Sequence, residues 1–188
     1  MKIVVTGGPG GGKTTALDLF KREFNQKINV VPEAATAVFE SGISRKDETP
    51  EVLKAIQKMI VDYQKNAERI YEVQSTEKIL LCDRGTLDGL AYWPNSEKSF
   101  FEAIDSSFAT ELSRYDAVIF FETAAQANEC ITSNNPYRNE SNEKAIELDK
   151  KLERIWSKHP RFFKVKSESS FMKKITNGID LLKIVIGE

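Results

Sequence analysis

Residues 1–15 read MKIVVTGGPGGGKTT, and this stretch decides the fold. Lys2–Val5 is a short β-branched run that is typical of a strand. The segment from Gly7 to Thr14 then matches G-x-x-x-x-G-K-[ST], the pattern of a phosphate-binding loop. An amphipathic helical pattern with Leu17 follows at once. The motif therefore lies between a strand and the N-terminus of a helix, where unpaired N–H groups and the helix dipole favour an anion.

Each part of this loop has a chemical role. Glycines let backbone N–H groups approach phosphate oxygens, Lys13 brings a mobile positive charge to the β- and γ-phosphates, and the Thr14 hydroxyl is a predicted Mg²⁺ ligand. The alternative is a glycine-rich linker that contains Gly-Lys-Thr by chance, but the strand–loop–helix context favours a nucleotide site. The predicted nucleotide-binding residues are Gly8, Pro9, Gly10, Gly11, Gly12, Lys13, Thr14 and Thr15.

Composition narrows the class of protein. The chain has 188 residues, which is the size of one domain, so we expect a single nucleotide-binding domain over residues 1–188. A net charge of −1 gives no electrostatic support for binding nucleic acid or an anionic membrane. The apolar runs are far shorter than a membrane span, and no signal peptide precedes the first strand. Because Cys82 and Cys130 have neither metal nor redox spacing, we expect a cytoplasmic protein. Separately, we interpret His159 as a structural residue at the end of a helix.

Apolar runs alternate with helical patterns along the whole chain. The predicted strands cover 2–6, 28–31, 78–82, 116–121 and 161–166, and the predicted helices cover 13–25, 34–40, 51–73, 86–93, 96–112, 140–158 and 169–186. This alternation predicts an α/β fold in which helices cover both faces of a parallel sheet. The longest helix shows a predicted apolar face made of Val52, Ala55, Ile56, Met59, Ile60, Tyr63, Ala67 and Ile70.

Ligands of such sheets bind at the carboxyl ends of the strands, so polar residues there are candidates for function. Asp83 follows the third strand and can hold Mg²⁺, while Arg84 beside it can bind phosphate; a strand-end ion pair is the alternative. Glu33 follows the second strand and is the predicted general base, with an N-cap acid of the next helix as the alternative. Glu122 follows the fourth strand in the same way.

Two further groups of residues complete the predicted site. Arg138 lies in the long polar stretch 122–139, where it is either a lid arginine that reaches the transferred phosphoryl group or a solvated surface residue. Aromatic rings, an amide and a carboxylate can line a pocket for a flat or sugar-like acceptor, although core aromatics and a surface glutamine are the alternative. These predicted acceptor residues, besides Glu33, are Gln64, Asp88, Tyr92 and Trp93.

The motifs together resemble a known family. Thr-Gly-Gly-Pro-Gly-x-Gly-Lys-Thr-Thr, Val-Pro-Glu-Ala-Ala and Cys-Asp-Arg-Gly-x-x-Asp-x-x-Ala-Tyr, in this order, resemble the AAA-type P-loop proteins. That family groups the ribosylnicotinamide kinase domain of bacterial NAD regulators with the TRPL-translocation-defect proteins. More distantly, the order is similar to that of deoxynucleoside and thymidylate kinases.

The resemblance implies a three-layer P-loop NTPase fold with a five-stranded parallel sheet of order 2-3-1-4-5. It also implies Lys13 and Thr14 on phosphate and Mg²⁺, Asp83 on Mg²⁺, Arg84 near phosphate, and Glu33 as base. Kinases of this type usually carry several lid arginines, whereas here only Arg138 is found.

Three functions follow from these patterns. The first is a kinase that moves the γ-phosphate of ATP, with Mg²⁺, to a hydroxyl of a nucleoside-, nucleotide- or sugar-like acceptor, with Lys13, Glu33, Arg84 and Arg138 as catalytic residues. The second is a slow ATP- or GTP-dependent switch that binds lipid or protein. The third, a nucleic-acid end kinase, lacks support from the near-neutral charge. The acceptor and the oligomeric state stay open.

Overall fold

A computed structural model describes residues 1–43, 49–127 and 141–188; for residues 126 and 127 only the backbone is described. Five parallel strands alternate with helices, as the sequence predicts. The strands are β1 (Lys2–Thr6), β2 (Ile28–Val31), β3 (Ile79–Asp83), β4 (Ala117–Phe121) and β5 (Phe162–Val165). The helices are α1 (Lys13–Glu23), α2 (Ala34–Glu40), α3 (Pro50–Gln74), α4 (Asp88–Tyr92), α5 (Glu97–Ala103), α6 (Phe108–Leu112), α7 (Asn142–Trp156) and α8 (Phe171–Ile186), and a 3₁₀ turn covers Ala124–Ala127.

The sheet has the order β2-β3-β1-β4-β5, which confirms the predicted order. β1 is central, since it pairs in parallel with β3 on one side and with β4 on the other. In this register Val5 lies beside Asp83, and Thr6 lies beside Phe120. The carboxyl ends of the strands therefore meet at one edge of the sheet, where the phosphate loop begins.

Alternate residues of the central strands face opposite layers of helices. Ile3 and Val5 pack with α1 and α8, whereas Val4 packs with residues of α4 and α7. Because both faces are covered, the middle residues of β1 and β3 and all of β4 are apolar, and Phe121 at the end of β4 is fully buried. The result is a three-layer arrangement with a core on each side of the sheet. Across the ranges 1–43, 49–127 and 141–188, no helix has the length and apolarity needed to cross a bilayer.

The predicted helix 96–112 is wrong, because the structure divides it into α5 and α6. The chain turns at Asp105, whose φ of 47° is left-handed, and Ser107 then caps α6 by accepting a hydrogen bond from the Thr110 N–H. The run Asp105-Ser106-Ser107 carries this signal, since these residue types favour turns and N-caps over helix interiors.

The predicted face of α3 is also wrong. Ile56 is buried, but Met59 and Tyr63 are exposed, and the buried face of the helix instead carries Gln64 and Glu68. Lys2, Arg114 and the Tyr115 hydroxyl all contact the Glu68 carboxylate, with donor–acceptor distances of 2.9, 2.7 and 2.8 Å. Two basic side chains compensate the burial of this acid, so α3 packs its polar stripe inward.

Candidate functional site

The phosphate loop lies tightly against the end of β4. Gly7 has a φ of 135°, and a Cβ added there would meet the Phe121 carbonyl oxygen at 2.0 Å, so only glycine fits. Gly12, with a φ of 84°, is the N-cap of α1, and a Cβ on it would meet the Phe171 ring at 2.9 Å. A glycine cap has no side chain to satisfy the N–H groups of the first helical turn. Those groups and the helix dipole provide an anion site.

Lys13 and the two threonines begin α1. The Lys13 side chain folds back into the loop, where Nζ donates to the Gly7 and Gly8 carbonyl oxygens at 2.9 and 2.8 Å, and the residue is only 3% exposed. Thr14 and Thr15 are exposed on the first turn. The ammonium group thus lies inside the loop, and its contact with the β- and γ-phosphates stays a prediction of the motif.

Two residues that sequence reasoning missed hold the loop in place. Asp149 of α7 is fully buried, and its Oδ1 accepts the Gly8 N–H at 2.8 Å and the Thr123 N–H at 3.0 Å. Thr123 follows β4, and its hydroxyl donates to the Pro9 carbonyl oxygen at 2.6 Å. The loop is therefore fixed by side chains from the other side of the sheet. An acid inside a helical pattern gives no signal of this role.

Arg84 lies at the centre of a buried ionic network. Its φ of 72° is left-handed, and its Nε donates to Glu33 at 2.6 Å while Nη1 donates to Asp88 at 2.9 Å. Nη1 also lies 3.4 Å from the Gly7 carbonyl oxygen. Burial alone would lower the pKa of Arg84, but electrostatic interactions with the Tyr92 hydroxyl and with the carboxylates of Glu33 and Asp88 raise that pKa well above its usual value. The guanidinium is thus a permanent cation beside the phosphate loop.

Glu33 is placed at the N-cap of α2, but its side chain does not cap the helix. One carboxylate oxygen accepts from Arg84, and the other accepts the Thr36 hydroxyl at 2.7 Å. The position matches the N-cap alternative, whereas the side chain turns towards Arg84 and the site. Glu33 therefore holds the N-cap position without capping the helix, and its role as general base stays a prediction.

The four predicted acceptor residues besides Glu33 have different surroundings. Asp88 is buried and accepts from the Thr6 hydroxyl at 2.8 and 2.9 Å, from Arg84, and from Trp156 Nε1 at 2.7 Å. Gln64 is buried and donates to the Arg84 carbonyl oxygen at 3.3 Å. Tyr92 is half-buried and close enough to Arg84 to affect its pKa.

Trp93 lies away from this network. It is packed edge-on against Phe100 at 5.3 Å, and its Nε1 donates to the Ser99 hydroxyl at 2.9 Å. This is the core position that the alternative reading describes.

The residues predicted to hold Mg²⁺ offer a suitable set of donors. Asp83 ends β3 and is half-buried, and the neighbouring strand β1 leads directly into the loop that ends at Thr14. One carboxylate and one hydroxyl are hard oxygen donors, and Mg²⁺ is usually held by one or two such groups together with substrate phosphates. Within the part of the chain that the structure describes, no three His, Cys, Asp or Glu residues form a protein-only metal cluster. The donor chemistry thus fits a metal that arrives with a nucleotide.

Four other residues considered in the sequence have roles outside this network or lie beyond the described residues. Arg138 and Cys130 lie in 128–140, outside the described residues. Glu122 pairs with Lys164 at 2.8 Å and accepts the Ser167 N–H, so it joins β4 to the segment after β5. His159 binds two backbone groups, which agrees with its structural interpretation.

A phosphate loop at the tip of a central parallel strand, flanked by a buried arginine and two acids, defines a P-loop nucleotide-binding protein. The family model described as an AAA domain matches residues 2–170, so the chain belongs to this AAA domain family. No curated protein sequence matches the chain.

Solved structures share this fold at low sequence identity. Deoxyadenosine kinase from M. mycoides with bound dATP superposes with a TM-score of 0.64 at 17% identity, covering 97% of this chain and 99% of that chain. Thymidylate kinase from Ehrlichia chaffeensis superposes with a TM-score of 0.64 at 16% identity, and the alignment covers 98% of each chain. A second deoxyadenosine kinase structure, with products bound, gives 0.66 at 16% identity over 98% of this chain and 100% of that chain. This chain is therefore similar in fold to nucleoside and nucleotide kinases.

Proposed function

We propose that this protein is an ATP-dependent small-molecule kinase. The observation that carries the proposal is the Glu33–Arg84 pair, with 2.6 Å between Nε and Oε1, which sits beside the phosphate loop through the contact of Arg84 with Gly7. A carboxylate and a permanent cation next to a triphosphate site are the groups that phosphoryl transfer to a hydroxyl requires.

The proposed reaction uses these groups in one step. The acceptor hydroxyl oxygen bonds to the γ-phosphorus, the bond from that phosphorus to the bridging oxygen breaks, and ADP leaves with the electron pair. Glu33 takes the hydroxyl proton, while Lys13 and Arg84 stabilise the charge on the phosphoryl oxygens. Mg²⁺ held by Thr14 and Asp83 would supply further neutralisation of that charge.

The acceptor is proposed to be nucleoside-, nucleotide- or sugar-like. Tyr92 and Asp88 border the Arg84 network, and Gln64 contacts the Arg84 backbone, so these three residues are the proposed boundary of the acceptor pocket. The neighbours of similar fold, whose names are nucleoside and nucleotide kinases, support this class. We further propose that the chain belongs to the ribosylnicotinamide kinase-like branch of the family and that Arg138 acts as a lid arginine. The chain is proposed to form a single domain and to work in the cytoplasm.

The test is ADP release from ATP with Mg²⁺ across a panel of nucleosides, nucleotides and sugars. We expect one acceptor to accelerate turnover above the rate with water alone. The Glu33→Gln variant should lower kcat by roughly 10²- to 10⁴-fold, as expected for loss of a general base. The matched Glu40→Gln variant changes an exposed acid of the same helix and should retain activity. A panel in which no acceptor raises turnover would overturn the kinase proposal.

One observation favours a second candidate, a slow nucleotide-dependent switch. Both carboxylate oxygens of Glu33 already accept hydrogen bonds, from Arg84 and Thr36, and such bonds stabilise the carboxylate and make it a weaker base. A switch needs nucleotide binding without an efficient base. Equilibrium binding of ATP and of GTP distinguishes the kinase from the switch. A strong preference for GTP, together with an acceptor panel in which no compound accelerates turnover, favours the switch.

A further inference from the structure

The outer face of α3 carries an apolar stripe that the proposed kinase chemistry does not use. Five apolar side chains lie on it, and their exposed fractions rise along the helix. They are Val52 at 37%, Met59 at 42%, Tyr63 at 47%, Ile70 at 54% and Val73 at 61%. Their spacing of 7, 4, 7 and 3 residues places them within about 80° of one another around a helix of 3.6 residues per turn. Intervals of seven, four and three residues are those of a helix–helix contact seam.

Most of the stripe lies away from the core. Val61, Gln64 and Glu68 are buried and lie roughly 120–180° from Val52 on a helical projection, and Ile56, at about 40°, is the buried residue next to the stripe. The stripe extends from Val52 to Val73, a rise of about 32 Å at 1.5 Å per residue. The exposed Asn66 interrupts it between Tyr63 and Ile70, and an exposed surface of this length that is otherwise apolar marks a place where another element packs.

Charges beside the stripe indicate what that element is. One flank carries Glu51, Lys58, Asp62 and Arg69, all on the same side of the helix at about 80–120° from Val52. The order is acid, base, acid, base. In a second copy of α3 that lies antiparallel, the same flank runs in the reversed order: base, acid, base, acid. Each of the four charges therefore faces an opposite charge on the second copy. A parallel copy would instead place this flank against the opposite flank of the partner's helix, which carries Leu53, Ile60 and Tyr71, so the four charges would meet no opposite charge.

We propose that two copies of this chain associate through antiparallel contact of their α3 stripes. With the two-fold axis near residue 60, Glu51 faces the partner's Arg69 and Lys58 faces the partner's Asp62. In the same arrangement Val52 lies against the partner's Ile70, and Met59 lies against the partner's Tyr63. The apolar and charged patterns thus agree on one alignment. In the single chain Lys58 binds Asp62 at 2.6 Å and Arg69 lies 3.7 Å from Glu72, so association would exchange these exposed pairs for pairs between the two copies.

The first experiment measures the mass of the full chain by sedimentation equilibrium over a range of concentrations. We expect a concentration-dependent dimer. Met59→Glu should raise the dimer dissociation constant by at least roughly 100-fold, because each dimer would bury two added charges. Ile184→Glu is the matched control, since Ile184 is 63% exposed on α8, and it should leave the dimer unchanged. A monomer at every concentration, or equal effects of both variants, would overturn the proposal.

The second experiment tests the alignment by charge reversal. Glu51→Arg and Arg69→Glu should each raise the dissociation constant by roughly tenfold, because each places two pairs of like charges in contact. The double variant should restore association, and an equimolar mixture of the two single variants should form heterodimers. A parallel contact predicts instead that neither charge reversal changes the dissociation constant, because the charged flanks of the two copies would not meet, and that result would overturn the antiparallel arrangement. Circular dichroism of each variant checks that α3 is still folded.

Discussion

Asp149 gives the sharpest test of how the phosphate loop is held, because it lies on α7, far along the chain from the motif. Its Oδ1 accepts the N–H groups of Gly8 and Thr123 at 2.8 and 3.0 Å, and both bonds are buried. Asp149→Ala removes this acceptor from two buried N–H groups, at a cost of about 1–3 kcal/mol each. The free energy of unfolding should therefore fall by about 2–6 kcal/mol.

Asp149→Asn separates geometry from charge at the same position. The amide oxygen still accepts both N–H groups, so stability should fall by only about 1 kcal/mol. Because the negative charge beside the loop is removed, nucleotide should bind at least as tightly as to the unsubstituted chain, whereas the alanine variant should bind it more weakly.

Urea unfolding measures the free energy of unfolding, and calorimetric titration with ATP and Mg²⁺ measures nucleotide affinity. Asp180→Ala, on the exposed face of α8, serves as control. The reasoning is refuted if Asp149→Ala unfolds and binds nucleotide like the unsubstituted chain.

Three further perturbations follow from single contacts. Gly7→Ala places a Cβ 2.0 Å from the Phe121 carbonyl oxygen and should cost about 3 kcal/mol or more of stability in urea unfolding. Asp88→Ala leaves the Arg84 cation buried with one carboxylate fewer, so stability should fall by about 3–5 kcal/mol, and an unchanged urea midpoint would contradict this. Burial raises the pKa of Glu111, but hydrogen bonds to its carboxylate lower that pKa below the usual value of 4.5, and the hydrogen bond from Lys65 is the strongest of them. The stability difference between the unsubstituted chain and Glu111→Gln should thus be constant above about pH 5 and shrink as pH falls below 4.5.

The sheet was predictable because its strands leave a strong local signal. Runs such as Ile79–Cys82 and Ala117–Phe121 are apolar at every position, which strands buried on both faces require. The phosphate loop was predictable because its motif is complete within the eight residues from Gly7 to Thr14, although the close contact that requires glycine at Gly7 comes from the distant Phe121. Local rules therefore sufficed for the sheet and for the start of the site.

The orientation of α3 was not predictable from periodicity. Counting apolar residues selects Met59, Tyr63 and Ile70, whereas the structure buries Gln64 and Glu68. The burial of Glu68 depends on Lys2 and Arg114, which lie 66 and 46 residues away in the chain. Pairings over such distances leave no pattern in a single sequence.

The same limit applies to the site itself. Glu33, Arg84 and Asp88 were identified singly from strand ends and motifs, but their assembly into one ionic network appears only in the folded chain. Asp149 had no signal at all, because an acid at an interior helix position is usually solvated. Residue types thus predicted the chemistry of the site, whereas the contacts that position it required the structure.

The central claim is that the amino-terminal loop binds a nucleoside triphosphate through Lys13, whose Nζ lies 2.9 and 2.8 Å from two carbonyl oxygens of the loop. Calorimetric titration of ATP with and without Mg²⁺ tests it on Lys13→Ala, with Lys21→Ala, an exposed lysine of the same helix, as control. We expect ATP affinity to fall by at least roughly tenfold in Lys13→Ala and to be unchanged in Lys21→Ala. Equal ATP affinity and equal Mg²⁺ dependence in Lys13→Ala and the unsubstituted chain would contradict the claim.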